Sequence, residues 1–247
     1  MKQINKLKMY LLPVIFLLAA GISKAQLNGT YTVYGTGANY ATLQAAASAL
    51  SAGVSGPVVF KIRPGTWSNA TSVIATIGNI SGASATNTIT FEAENGSAAT
   101  TILSSTSTSS TTTLNNIFYL NGAKYIRVRN LTLDKTSSSY GTCIRFAGDA
   151  DYNIIEDCIL KGSTTTSTST NMSRIYGTSL GSANNNIIRN NTFNNGSFAV
   201  YWYGSSTSSL SADNEISGNT LVSPYNYGIY CYYTSNLQVL NNAITRT

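Results

Sequence analysis

One six-residue pattern returns five times in the second half of the chain and narrows the fold more than any other feature. It consists of an aliphatic residue, two variable residues, a turn residue, one more, and an apolar residue. It runs through Val128–Leu133, Ile155–Leu160, Ile188–Phe193, Ile216–Leu221 and Val239–Ile244, with steps of 27, 33, 28 and 23 residues. A second short apolar segment precedes each occurrence, beginning at Phe118, Ile144, Ile175, Val200 and Ile229, with steps of 26, 31, 25 and 29. Two columns therefore share one irregular period. A leucine-rich repeat would keep its own signature, and a propeller blade would be longer. Short strands, a fixed turn and loops of variable size read as coils of a parallel β-solenoid, each burying its aliphatics against the coils above and below. In the last three coils the turn position holds Asn191, Asn219 and Asn242, which predicts a ladder of side chains hydrogen-bonded along the axis. The earlier coils place Leu131 and Cys158 there, so the ladder is partial.

Composition agrees with strand and turn. Ser, Thr and Asn number 32, 32 and 26 of 247 residues, yet the chain keeps 16 Tyr and 43% hydrophobic residues, enough for a core. There is no His, which excludes Ser-His-Asp triads, Cys-His dyads and His-ligated zinc or haem. The three cysteines, Cys143, Cys158 and Cys231, show no paired spacing. They are expected as small buried hydrophobes with at most one bridge between them.

The N-terminal residues 1–25 read as a secretory leader. Lys2, Lys6 and Lys8 precede an apolar run from Leu11 to Ala20, and small residues lead up to cleavage after Ala25. Export to the extracellular space or cell surface follows, with no transmembrane segment left behind. Loss of the leader's four Lys takes the formal charge from +6 to +2, which removes the electrostatic support for nucleic-acid binding. Residues 26–55 read as an N-terminal strand and a helix, the latter over Tyr40–Leu50 and ended by Gly53. An open solenoid end exposes core and strand edges, and this helix is the candidate cap. Residues 56–247 read as coils, starting with the strand Val58–Ile62. Because Thr247 follows the last apolar position by three residues, the coils are expected to continue beyond it. The Ser/Thr runs at 104–113, 163–170 and 205–211 interrupt different coils and read as extended loops.

The repeated Ile-x-x-Asn-x-[Phe/Leu/Ile] resembles the right-handed parallel β-helix proteins of the pectin-lyase-like superfamily, of the secreted bacterial type, from about Gly56 onward. The resemblance implies an all-β fold, a right-handed parallel β-helix with a short N-terminal capping helix. It also implies polysaccharide chemistry. Hydrolases of this fold carry Asn-Thr-Asp, Asp-Asp, Gly-His-Gly and Arg-Ile-Lys, none of which occurs here. Pectate lyases of the fold use Asp-bound calcium and a basic residue. No catalytic residue carries over from either group.

Alternation along a strand places side chains without coordinates: if the aliphatics point inward, their neighbours point out. Tyr119, Arg145, Tyr176, Tyr201 and Tyr230 then line one outer face in successive coils, and Tyr203 and Tyr232 widen the strip. Two readings stand side by side. The rings stack on sugar rings as a glycan-binding face, or they stack on each other, with Arg145 held between two of them. On another sheet the same rule aligns Arg129, Glu156 and Arg189, a cross-strand charge ladder in preference to an acid flanked by uronate-binding arginines. Asp149 and Asp151 share a loop and could offer oxygens to calcium, although two acids in an Asn-rich loop are ordinary turn formers. Lys161 lies near Asp134 and Asp157. The sequence thus points to an exported, monomeric, cofactor-free module that binds a polysaccharide or cell-surface glycan, or serves as an adhesive or structural surface protein. The alternative is a polysaccharide lyase or glycoside hydrolase whose active site is incomplete in this segment.

Overall fold

The structure, a computed structural model, describes residues 25–69, 74–107, 111, 113–136, 140–180 and 183–246. The expected leader lies outside the described residues except for Ala25. The chain winds through three parallel sheets in turn, for about seven turns. Sheet I has eight strands: Leu27–Val33, Val54–Ile62, Ile89–Ala93, Ile126–Arg129, Ile154–Glu156, Ile187–Arg189, Glu215–Ser217 and Gln238–Leu240. Sheet II has seven: Gly65–Asn69, Thr101–Ser105, Thr132–Lys135, Ile159–Gly162, Thr192–Asn194, Thr220–Val222 and Ala243–Thr245. Sheet III has six: Ala75–Ile77, Asn116–Asn121, Thr142–Ala147, Ser173–Leu180, Phe198–Gly204 and Tyr227–Tyr232.

The core is a set of vertical columns. In sheet I, Phe60, Phe91, Val128, Ile155, Ile188 and Ile216 lie in one register, all buried. In sheet II the column is Leu103, Leu133, Leu160, Phe193 and Leu221. In sheet III it is Phe118, Ile144, Ile175 and Val200. Each such side chain contributes about 1.5–3 kcal/mol by leaving water, which is why the aliphatic positions of the repeat set the register. All three cysteines are free, and burial pushes the Cys143 thiol up to about 11 and the Cys158 thiol up to about 12.

In the last five coils the corner between sheets I and II is two residues long, and those two residues divide the work. The first adopts the left-handed conformation: Asn130, Asp157, Asn190, Gly218 and Asn241, with φ between 54° and 62°. Asn, Asp and Gly are the residues that tolerate it. The second carries the hydrogen-bond ladder. Asn191 Oδ1 accepts from Cys158 N, Asn219 Oδ1 from Asn191 N and Nδ2, and Asn242 Oδ1 from Asn219 N and Nδ2. The expected ladder is thus present, but the strained backbone belongs to the residue before it. A second ladder, Asn153–Asn186–Asn214, runs up the corner between sheets III and I.

The helix is Leu43–Ala49, continued by a 3₁₀ turn Leu50–Ala52. Thr42 caps it by accepting from Ala45 N, so it starts later than the Ala-rich pattern suggests. Leu43, Ala46 and Ala47 face the core, and Gln44 Oε1 accepts from Thr76 N on the first strand of sheet III. The helix thereby covers an edge that would otherwise pair with another chain. No helix of the described residues is long and apolar enough to cross a membrane.

Candidate functional site

The outer face of sheet III carries the aromatic strip. The register aligns Thr76, Tyr119, Arg145, Tyr176, Tyr201 and Tyr230 on neighbouring strands, and Tyr203 beside Tyr232. All seven residues expected in the strip are therefore brought together. Tyr201 and Tyr230 have ring centroids 5.1 Å apart with planes 3° from parallel; Tyr176 and Tyr201 are 5.6 Å apart at 22°. Rings that close and that parallel must overlap like shingles. Their facing sides are taken by one another, and Tyr176, flanked on both sides, is only 9% exposed.

Arg145 replaces a ring in this column. Its guanidinium carbon lies 5.6 Å from the Tyr119 centroid and 5.2 Å from that of Tyr176. Nε and Nη1 are buried without a hydrogen-bond partner, so the two rings supply the cation's surroundings. No carboxylate stands in the strip register.

The hydroxyls of Tyr119, Tyr176, Tyr201, Tyr203, Tyr230 and Tyr232 make no hydrogen bond among the described residues. Burial, then the neighbouring phenols, raises the Tyr201 pKa, keeping its proton available for donation. Three further aromatics complete the patch. Phe198 stacks with Tyr227 (5.8 Å, 16°) and meets Tyr201 edge-on at 5.2 Å; Tyr233 packs against Tyr232 at 4.2 Å. Phe198 and Tyr227 each precede a strip tyrosine by three residues, a spacing that could have revealed them. Tyr227 and Tyr232, 51% and 46% exposed, are the most open rings of the strip margin.

The carboxylates are occupied elsewhere. On sheet I the register Lys61, Glu92, Arg129, Glu156, Arg189 forms an alternating ladder, two rungs longer than the sequence reading had it. Glu92 pairs with both Lys61 and Arg129, and Arg189 reaches Glu156 Oε2 through Nε (2.9 Å) and Nη2 (2.7 Å). Burial pushes the Glu92 pKa up, but hydrogen bonds from Lys61 and Arg129 outweigh it, and the net shift is downward. In the loop after Phe146, Asp151 Oδ2 lies 2.6 Å from Lys124 Nζ while Oδ1 accepts from Asn184 N, so both oxygens have partners; Asp149 acts on Lys124 electrostatically. Asp134 Oδ1 accepts from Thr136 N and Oγ1, and Lys161 lies beside Asp134 in the register of sheet II. Among the described residues no three Cys, Asp or Glu side chains converge in a group that could hold a metal ion.

The corner from sheet II to sheet III holds two cations unforeseen from sequence, Lys135 and Arg174, each 1% exposed. Lys135 Nζ donates to Ser105 Oγ and Ser107 O, and Arg174 donates to Lys161 O, Gly141 O and Met172 O. Burial lowers the Lys135 pKa to about 8.

Three parallel sheets wound in right-handed coils, with an Asn ladder at a two-residue corner, define a right-handed parallel β-helix. Residues 67–244 match the family described as "Right handed beta helix region", and the chain belongs to it. Among solved structures, the pectin methylesterase of Aspergillus niger in deglycosylated form is similar in fold, with a TM-score of 0.50 at 12% identity over 90% of this chain and 87% of that one. The rice weevil pectin methylesterase gives 0.48 at 12% over 94% and 93%. No curated protein matches the sequence.

Proposed function

We propose that this chain is an exported β-helix protein whose aromatic strip contacts a polysaccharide, as a binding or adhesive surface and not a catalytic one. The supporting observation is the column of tyrosines on the outer face of sheet III, four in five successive coils, whose hydroxyls have no hydrogen-bond partner among the described residues. Where tyrosines are neighbours, their rings repeat at 5.1–5.6 Å. The stack holds them in place, so a saccharide chain lying along the axis meets fixed donors and acceptors with little ordering cost. Sugar stacking on ring faces belongs to the margin, at Tyr227 and Tyr232. The basic, then apolar, start of the chain supports export. The similar fold of an esterase that by name acts on pectin is consistent with a saccharide ligand, but a shared fold carries no activity with it.

Affinity electrophoresis through gels containing neutral or acidic polysaccharides tests the reading. Retardation by at least one polymer, lost in Tyr201→Ala with Tyr230→Ala while the circular dichroism is unchanged, is the expected result. Equal retardation of the double variant removes the strip from the binding. New reducing ends or unsaturated products would replace the reading with a catalytic one.

A further inference from the structure

The corner between sheets III and I repeats one backbone conformation in five successive coils. Tyr125, Tyr152, Asn185, Asp213 and Asn236 are all left-handed, with φ between 48° and 60°. They occupy equivalent positions. Each of the first four donates its N–H to the carbonyl just before the next: Tyr125 to Asp151 O, Tyr152 to Asn184 O, Asn185 to Ala212 O and Asp213 to Ser235 O. Asn and Asp tolerate this conformation, whereas a tyrosine there is strained. Two coils therefore hold a strained residue where three show that an unstrained one suffices. The rings of Tyr125 and Tyr152 stack, with centroids 5.0 Å apart and planes 7° from parallel. One such ring pair offsets less than two strained backbones cost, and Tyr152 remains 45% exposed. Strain of this kind collects at ligand-binding positions.

The stack ends at Tyr152. Its ring meets no aromatic but Tyr125 among the described residues, and the next two coils place the shorter Asn185 and Asp213 in its column. The far face of Tyr152 is thus a shelf at the edge of sheet III away from the corner with sheet II. The side-chain amide of Asn185 has no hydrogen-bond partner among the described residues. Charge at this corner is negative on balance. Lys124 pairs with Asp151 at 2.6 Å and is drawn by Asp149 as well, while Asp213 lies two coils on from Tyr152.

We infer that the exposed face of Tyr152 takes one neutral sugar ring as the third layer of the stack, with the Asn185 amide on its hydroxyls. The surrounding carboxylates disfavour an acidic sugar. The inference rests on the saccharide reading of the strip for the class of ligand, and on this corner's own residues for place and charge.

Protein-observed NMR titration of the whole chain with glucose, galactose, mannose and glucuronate tests it, because the side-chain amide of Asn185 reports on this corner and the backbone amide of Tyr201 on the strip. At least one neutral sugar is expected to shift the Asn185 signal saturably, and glucuronate to bind there more weakly. Tyr152→Asn, which installs the residue type of the next coil, is expected to weaken that binding roughly tenfold. Its urea midpoint should be no lower than that of the native chain, since Asn suits the backbone. Tyr152→Phe keeps the ring and should keep the binding, and Tyr201→Ala with Tyr230→Ala should leave it intact. If polysaccharide retention fails while the neutral sugar still moves Asn185, the strip reading falls and the shelf stands. No response at Asn185 to any neutral sugar, a response unchanged in Tyr152→Asn, or a Tyr152→Asn protein less stable than the native chain overturns the inference.

Discussion

Asn219 is the middle rung of the ladder between sheets I and II, and its removal has a calculable cost. Its Oδ1 accepts from Asn191 N (2.9 Å) and Nδ2 (3.1 Å), and its Nδ2 donates to Ile188 O (2.9 Å) and Asn242 Oδ1 (2.9 Å). The residue is 1% exposed, so water does not replace these partners. Asn191 Nδ2 keeps Ile155 O, and Asn242 Oδ1 keeps Asn219 N. The groups that lose most are Asn191 N and Ile188 O. At about 1–3 kcal/mol for each buried group left without its partner, Asn219→Ala should cost about 2–6 kcal/mol. Asn219→Leu fills the volume but leaves the same two groups stranded, so it should cost nearly as much. Exposed Asn226→Ala, on the surface, should fall within about 0.5 kcal/mol of the native chain. Urea unfolding supplies the free energies, and hydrogen exchange at the Asn191 amide supplies the local readout, with protection lost in both Asn219 variants. A Leu variant as stable as the native protein would refute the reasoning and make the corner a packing device, as Leu131 is in an earlier coil.

Two further perturbations test the charged positions. Because its partners lower the Glu92 pKa, the stability it contributes is complete above the ordinary carboxylate range and lost as pH falls through the lowered value; urea midpoints of the native chain and Glu92→Gln should therefore converge in acid and separate near neutral pH. At Gly162 an added Cβ would run into Arg174 Cζ, so Gly162→Ala should lower the thermal midpoint sharply, yet add little in an Arg174→Ala background, where the obstacle is gone.

What was legible in the sequence followed from period-two alternation and a repeated corner. Ile175, Val200 and Ile229 had to face inward, and that alone placed Tyr176, Tyr201 and Tyr230 on one outer column. The second ladder was hidden because Asn153, Asn186 and Asn214 sit in a chain so rich in Asn that three more carried no signal. Lys61 and Glu92 were missed because their coils lie before the clear repeats begin. Arg174 is the instructive failure. It shares the parity of Tyr176, two residues later, and alternation turns it to solvent, yet the corner wraps it and its donors satisfy three carbonyl oxygens. Alternation describes the middle of a strand; at a corner, tertiary contacts decide.

Every long strand in the described coils pairs only with the coil before and the coil after it, in parallel. The interstrand hydrogen bonds therefore point along the axis of the molecule. Tension applied along that axis does not shear many bonds at once, as it would across strands pulled past one another. It opens them in sequence at the end coil, in the manner of a zip. Each coil of 23 to 33 residues would release roughly 80–110 Å of slack as it leaves the stack. A protein built this way yields to force in coil-sized steps, and the coils still stacked keep their rungs of the strip in register.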